Sequence, residues 1–380
     1  MRLRIAMFYH SLVSDWNHGN AHFLRGIAAE LQARGHDVRI FEPQHSWSRM
    51  NLLEEAGPAA IEEFHRAFPQ LQSTRYRTDD LHLSEWLDGA DLTIVHEWSE
   101  PSLVAAVGRY RRSHNSVRVL FHDTHHRAVT APEELARFDL SEYDGVLAYG
   151  ASLKDAYAKH GWGKQVHVWH EAADTRVFYP RSNSEPSGDV VWIGNWGDDE
   201  RSDEIREFFI RPVANQHWTA QVRGVRYPES ARMELRTAGI SYGGWIPNFQ
   251  VPELFGQHRA TVHVPRRPYT LQLPGIPTIR PFEALACGIP LVSAPWSDTE
   301  GLFRVGRDFL MARNGQEMEG HLRDVIHDRD LAKELASAGL ETIRSRHTCA
   351  HRVDQLLSIY EEMRPVPSPQ EAACSSGVLL

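Results

Sequence analysis

Cysteine is scarce in this chain of 380 residues. The three, Cys287, Cys349 and Cys374, lie far apart and form no C-x-x-C pair. An odd, sparse set gives neither a disulfide framework nor a thiolate zinc site, and it suits a reducing compartment. Long apolar runs are missing too. None approaches the ~20 residues needed to span a bilayer, and the run opening at Met1 is broken too early for a signal peptide. A cytoplasmic protein with at most a peripheral membrane contact is the expectation. Basic excess is also absent. The net charge is −9, which argues against nucleic acid or an anionic membrane as bulk partners and leaves room for a local basic patch. There is no internal repeat and no low-complexity tract.

What is present is an alternation of strand and helix patterns over nearly the whole length, which reads as α/β with parallel sheets. The length favours two domains. Apolar runs predict strands at Arg4–Tyr9, Val38–Phe41, Leu92–Val95, Val117–Phe121 and Gly145–Ala148. Phe23, Ile27, Ala28 and Leu31 recur at helical spacing, and Gly35 sits where a helix stops. Residues 46–88 read as helical and irregular. Ser182–Gly188 has linker composition. Beyond it, strands are predicted at Val190–Ile193, Thr219–Val222, Ala260–Val264 and Leu291–Ser293, with helices at Arg201–Ile210, Pro281–Ala286 and Glu317–Ile326. The expected division is a first doubly wound domain over 1–180, a second over 188–347, a helix over 348–364 packing back across both, and a disordered tail over 365–380. Val353, Leu356, Leu357 and Tyr360 give that last helix one apolar face.

In open parallel sheets, ligands bind beyond the carboxyl ends of the strands, so site residues belong in the loops that follow strands. The loop Asp15-Trp16-Asn17-His18-Gly19-Asn20 mixes glycine with hydrogen-bonding side chains, as expected beside a sugar or phosphate. His122, Asp123, His125 and His126 combine imidazole and carboxylate but have no matching second cluster, so a strand-end loop is favoured over a metal site. From such a loop His122 would face the cleft and manage a proton. The segment Pro281-Phe282-Glu283-Ala284-Leu285-Ala286-Cys287-Gly288-Ile289-Pro290 reads as a helix start with one carboxylate in its first turn, a glycine stop and a strand. That carboxylate is either a simple helix cap or an acceptor for a ligand's vicinal hydroxyls. Tryptophan is well represented, at eleven. Trp47, Trp98, Trp162, Trp169, Trp192, Trp196, Trp218 and Trp245 are of a kind that stacks on sugars, and most are expected in a core or an interface.

The run F-E-A-L-A-C-G-I-P-L-V resembles the E-A-x-A-x-G-x-P-V-V signature of group 1 (family 4) glycosyltransferases, and with Arg280 it is similar to their CgeB-like spore-maturation branch. Weaker likenesses follow in the family's order, at Gly19–Asp37, Leu120–Asp123, Glu171–Pro180 and Trp192–Asn195. The resemblance implies a GT-B fold, in which two Rossmann-like domains face across a cleft. It implies transfer of a sugar from a nucleotide-sugar donor with retention; independence of metal is expected because no acidic D-x-D pair sits at a strand end in the second domain and Asp198-Asp199-Glu200 is followed at once by Arg201, and no other cofactor is expected. It gives Glu283 the donor's ribose and places His122, with Asp123, at the transferred sugar. The donor diphosphate would need Arg201, Arg223, Arg266, Arg267 or Arg280, with Arg201 and Arg280 favoured, and Gly194 and Asn195 belong to the first loop of the donor domain. His18, Gly19 and Asn20 fall in the glycine-rich loop on the acceptor side. One departure stands out. The family's E-x7-E motif would put a first glutamate at Gly275. Gly275 and Thr278 are instead read as a backbone cradle for a phosphate or sugar hydroxyl. That change leaves two rivals open, a GT-B sugar-nucleotide epimerase and a catalytically silent nucleotide-sugar-binding protein.

Overall fold

Thirteen strands, each pairing between them parallel, divide into two sheets in the computed structural model, which describes residues 2–181 and 185–364. The first sheet holds β1 (Arg4–Phe8), β2 (Asp37–Pro43), β3 (Ser73–Tyr76), β4 (Leu92–His96), β5 (Arg118–Asp123), β6 (Gly145–Ala148) and β7 (Val166–Val168) in the order β3-β2-β1-β4-β5-β6-β7. The second holds β8 (Gly188–Ile193), β9 (Ala220–Arg223), β10 (Ser241–Tyr242), β11 (His258–His263), β12 (Leu291–Ser293) and β13 (Leu310–Met311) in the order β10-β9-β8-β11-β12-β13. This is the GT-B architecture, with two Rossmann-like domains.

Both faces of each sheet are covered, which is why the inner strands are continuous apolar runs. The period of two sorts their side chains. Ile5 and Met7 enter one core of the first domain while Ala6 and Phe8 enter the other. Val190 and Trp192 likewise part from Val191 and Ile193 in the second. β1 pairs with both β2 and β4, and β8 with both β9 and β11. The chain order therefore reverses at β1/β4 and at β8/β11, and the loops leaving those strands open the crevice where such sheets bind ligands.

The four strands absent from the sequence reading, β3, β7, β10 and β13, are the four sheet edges. They are two to four residues long and none is fully buried, so no buried apolar run marks them. The segment expected to be helical and irregular over 46–88 thus contains a strand. The helix expected at Arg201–Ile210 is broken into Ser202–Ile205, a widened turn at Arg206–Ile210 and Arg211–Gln216. The wide turn ends two residues before Pro212, which has no N–H to give an α-helical bond. The signature helix runs Ile279–Ala286, two residues earlier than expected. Glu283 is its fifth residue and stands in the second turn, so the first-turn cap reading of that carboxylate is corrected.

The helix Asn20–Ala33 is buried on nearly every side, because the helix Cys349–Glu362 lies over it. Thr348 and His351 form a capping box at the start of that last helix. Val353, Leu356, Ile359 and Tyr360 enter a first-domain core, and Trp169 Nε1 donates to Arg352 O at 2.8 Å. The linker expected over Ser182–Gly188 falls partly, and the tail expected over 365–380 wholly, outside the described residues.

Candidate active site

A cavity of about 620 Å³ lies between the two sheets. Its walls are built from the segments the topology brings there: Asp15 and 17–20 after β1, Trp98 after β4, Thr124 and His125 after β5, Gly194 and Asn195 after β8, Arg223 at the end of β9 with Gly224 to Arg226 after it, and Pro265 and Arg266 after β11. The helices Asn20–Ala33 and Ile279–Ala286 both start at it. Their first N–H groups lack intrahelical partners and the helix dipoles favour an anion there.

The second-domain wall is cationic. Arg201, Arg223, Arg226, Arg266 and Arg280 all line the cavity. Arg201 is held over Trp192 with 5.1 Å to the ring centroid and donates to Val264 O at 3.0 Å and Asn195 O at 2.9 Å. Burial, then the neighbouring Arg266, pushes its guanidinium down to about 9, so an anion here relieves a standing repulsion. Arg266 bonds Glu200 at 2.7 Å and Asn195 Oδ1 at 3.1 Å. Gly224 has φ +156°, and a Cβ on it would stand 2.0 Å from Gly194 O, so only glycine fits this approach of two loop backbones. Thr278 also lines the cavity and caps the signature helix with φ 60°. For a β-branched residue that is a strained conformation of the kind that gathers at functional sites.

The first-domain wall holds His18, Gly19, Asn20, Trp47, Trp98 and His125. Asp15, Asn17, Thr124, Tyr149 and Glu171 also line it. Asn20 Nδ2 donates to Glu171 at 3.2 Å. Burial lifts the Glu171 carboxyl to about 8 against that hydrogen bond. The walls are joined by Asn195 to Asn17, by Trp245 Nε1 to Asp15 at 3.0 Å, and by His22 Nδ1 to Glu283 Oε1 at 2.7 Å.

Of the residues expected from the sequence, the fold brings His18, Gly19, Asn20, Gly194, Asn195, Arg201, Arg223, Thr278 and Arg280 to the cavity. Arg266, also a candidate for the diphosphate, lines it as well, whereas five do not: Arg267, which bonds Glu204 and Asp199 O instead, and His122, Asp123, Gly275 and Glu283. His122 points into the core, between Trp169, Phe23 and His96, and its Nδ1 meets Tyr9 Oη at 2.7 Å. Asp123 is fully buried and accepts from Tyr157 Oη at 2.7 Å and His125 N at 2.9 Å. The cleft-facing reading of His122 is therefore corrected: still inside β5, it keeps the parity that turns it into a packed layer, and His125, beyond the strand end, lines the cavity instead. Gly275 has φ +91°, but its N–H donates to Ser297 O at 2.7 Å, so it is not a free cradle. A side chain at 275 would collide with Thr299 and Glu300. Glu283 is fully buried, and its carboxylate accepts from His22, from Asn248 Nδ2 at 2.7 Å and from Arg280. Burial opposes its charge, but Arg280 and the two hydrogen bonds outweigh it and hold the carboxyl below its ordinary value. Trp47 and Trp98, weighed in the sequence as sugar stackers or core, and His125, weighed there only as a metal ligand, also line the cavity, and Glu171 is the lining group that sequence reasoning passed over. Trp98 directly follows β4 by one residue of loop, so the strand-end rule had it in reach.

Among the described residues, no group of three or more His, Cys, Asp or Glu side chains is placed to hold a metal ion, and no helix is long and apolar enough to cross a membrane.

Residues 19–177 match the family model described as Glycosyltransferase Family 4, and residues 201–358 match one described as Glycosyl transferase-like. No curated protein matches by sequence. Solved structures with the same fold include sucrose-phosphate synthase from Thermosynechococcus elongatus, 16% identical with a TM-score of 0.64 over 95% of this chain and 99% of that one. HepE of Anabaena, in complex with UDP and glucose, is 13% identical with a TM-score of 0.68 over 95% of this chain and 100% of that one. T4 phage BGT, in complex with UDP and Mn2+, is 13% identical with a TM-score of 0.60 over 95% and 99%.

Proposed function

We propose that this chain, a two-domain glycosyltransferase of the group 1 kind, moves a sugar from a uridine-diphosphate sugar to an acceptor hydroxyl in the interdomain cavity. The observation that carries the reading is the wall of arginines around Arg201, Arg266 and Arg280, beside two helix starts. In the transfer the bond from the anomeric carbon to the diphosphate oxygen breaks, and the diphosphate leaves with the electron pair. The acceptor oxygen takes its place on the carbon and loses its proton. Negative charge therefore grows where the arginines converge, which is where preorganised donors lower the barrier. Uridine is favoured because HepE and T4 phage BGT are bound to UDP.

Arg280 is shared between Glu283 and the cavity. When the diphosphate draws Arg280 towards itself, a Glu283 oxygen becomes available to a ribose hydroxyl, which is the role the family resemblance gives this glutamate. Retention, the CgeB-like branch and independence of metal belong to the same reading; guanidiniums and helix starts supply the positive charge a metal would bring.

Calorimetry with UDP and UDP-glucose tests the proposal. Micromolar-range binding is expected, with Arg201→Ala and Arg266→Ala each weakening it about tenfold or more, since each loses charge-assisted hydrogen bonds of ~1.5–3 kcal/mol. Turnover in EDTA should equal turnover in manganese. A protein that binds no nucleoside diphosphate, or arginine variants that bind as wild type does, would sink it.

A further inference from the structure

The two walls of the cavity differ in charge and in shape. All five arginines come from the second domain. Among the described residues, the first-domain lining includes no arginine or lysine; its Asp15 pairs with the buried Arg25 at 2.8 Å, and its other ionisable groups are Glu171, His18, His125 and Tyr149. Trp47 and Trp98 stand on that wall, partly exposed to the cavity. Their rings are 5.8 Å apart between centroids at 74°, so they form a corner, one ring as floor and the other as side. The corner is braced from behind. Arg127 lies 4.1 Å from the Trp98 centroid and is tied by its own bond to Glu97 O at 2.9 Å. His10 packs on Trp47 with centroids 4.5 Å apart. Two lining imidazoles each keep a buried nitrogen with no hydrogen-bond partner among the described residues, Nε2 of His18, itself 4% exposed, and Nδ1 of His125. Burial keeps both rings neutral at ordinary pH.

An anionic acceptor would find no unengaged cation on this wall, because Arg25 behind it is already paired with Asp15 at 2.8 Å, and the diphosphate already claims the opposite wall. A pyranose ring has an apolar face of C–H groups that packs on an indole, and an edge of hydroxyls that can both donate and accept. Neutral imidazoles with a spare nitrogen suit such an edge. We infer that the Trp47–Trp98 corner is the acceptor subsite and that the acceptor is an uncharged saccharide whose ring stacks on Trp98, with its hydroxyls at His18 and His125. This rests on the glycosyl-transfer reading above.

The test uses the full chain saturated with UDP and titrated with methyl α- and β-glycosides of glucose, galactose and mannose, and with maltose and cellobiose. Binding is read by tryptophan fluorescence and by calorimetry. Phenol and glucose 6-phosphate serve as the flat aromatic and the anionic probes. At least one neutral glycoside is expected to bind and quench. Trp98→Ala should weaken it tenfold or more and Trp98→Phe should recover most of the loss, while UDP affinity stays within twofold in both. Wild type that binds UDP but none of the neutral glycosides overturns this inference alone. So does a glycoside affinity indifferent to Trp98→Ala, or preference for phenol or the sugar phosphate. Failure to bind UDP overturns the transfer reading and this inference with it. If Trp98→Ala does not fold, Trp98→Phe against Trp98→Leu, similar in bulk but without the ring, decides by the same comparison.

Discussion

At neutral pH Glu171 carries a proton, because burial raises its carboxyl from 4.5 to about 8. The folded chain therefore keeps a proton between those values that the unfolded chain has already released. Each rise in pH within that window removes stability, by up to ~1.4 kcal/mol per unit. Glu97, lifted to about 8, and Asp123, lifted to about 7, tilt the curve the same way, both chiefly through burial. Glu171→Gln keeps the shape and removes the titration. Its melting temperature should gain on wild type as pH goes from 5 to 8; an equal gap at both ends would show that Glu171 is ionised throughout. Glu283→Gln has the opposite character. It leaves Arg280 without its counter-charge, next to a fully buried position. Removing one partner of a buried pair costs ~3–5 kcal/mol, and the cavity beside Arg280 admits water that softens this to ~2–3 kcal/mol. Because the substitution also removes the proposed ribose contact, added UDP should stabilise the variant less than it stabilises wild type, seen as a smaller thermal shift. No destabilisation in the absence of UDP would contradict the pairing.

Helix contacts set the next scale. Gly26 sits mid-helix in Asn20–Ala33, where alanine would normally be better by ~1 kcal/mol. A Cβ there would stand 2.4 Å from Cys349 Sγ and 2.9 Å from Asp174 Cβ. Overpacking of this kind costs ~1–3 kcal/mol, more than the helix gains, so Gly26→Ala is expected to lower the melting temperature. The loss should shrink in a Cys349→Ala background, because the nearer obstacle is gone. A stabilised Gly26→Ala would mean that the Cys349–Glu362 helix does not sit this closely. The same packing explains a limit of sequence reading. Phe23, Ile27 and Leu31 announce one apolar face, yet the helix is buried almost all round, because a segment more than 300 residues later covers its other side.

Over the whole molecule, Glu300 of the second domain ties the two halves. It accepts from Ala151 N at 2.9 Å at the start of the helix Ala151–His160 and pairs with His170 Nε2 at 3.0 Å. Glu300→Ala should loosen the closed arrangement: small-angle scattering should give a larger radius of gyration without UDP and a return towards the wild-type value with it. An unchanged radius would place the restraint in the other cross-domain contacts, such as Trp245 to Asp15.

The amino-acid sequence by itself determined the alternation of elements, the two domains, the nine inner strands and the rule that the site lies in loops after strands. These follow from local periodicity and from the continuous apolar runs of strands covered on both faces. It also put most of the cationic wall and the loop 18–20 on the candidate site. Tertiary structure alone decided the rest. Four edge strands needed a neighbour to become strands. His122 and His125 differ by three positions, and only the end point of β5 turns one into the core and leaves the other at the cavity. Gly275 gives its N–H to Ser297, and Glu283 shares its oxygens with His22 of the first domain and Asn248. The aromatic corner joins Trp47 and Trp98 from loops after different strands. Such partnerships form between residues far apart in the chain, where neither periodicity nor spacing carries a signal, so only the folded arrangement of the two domains could settle them.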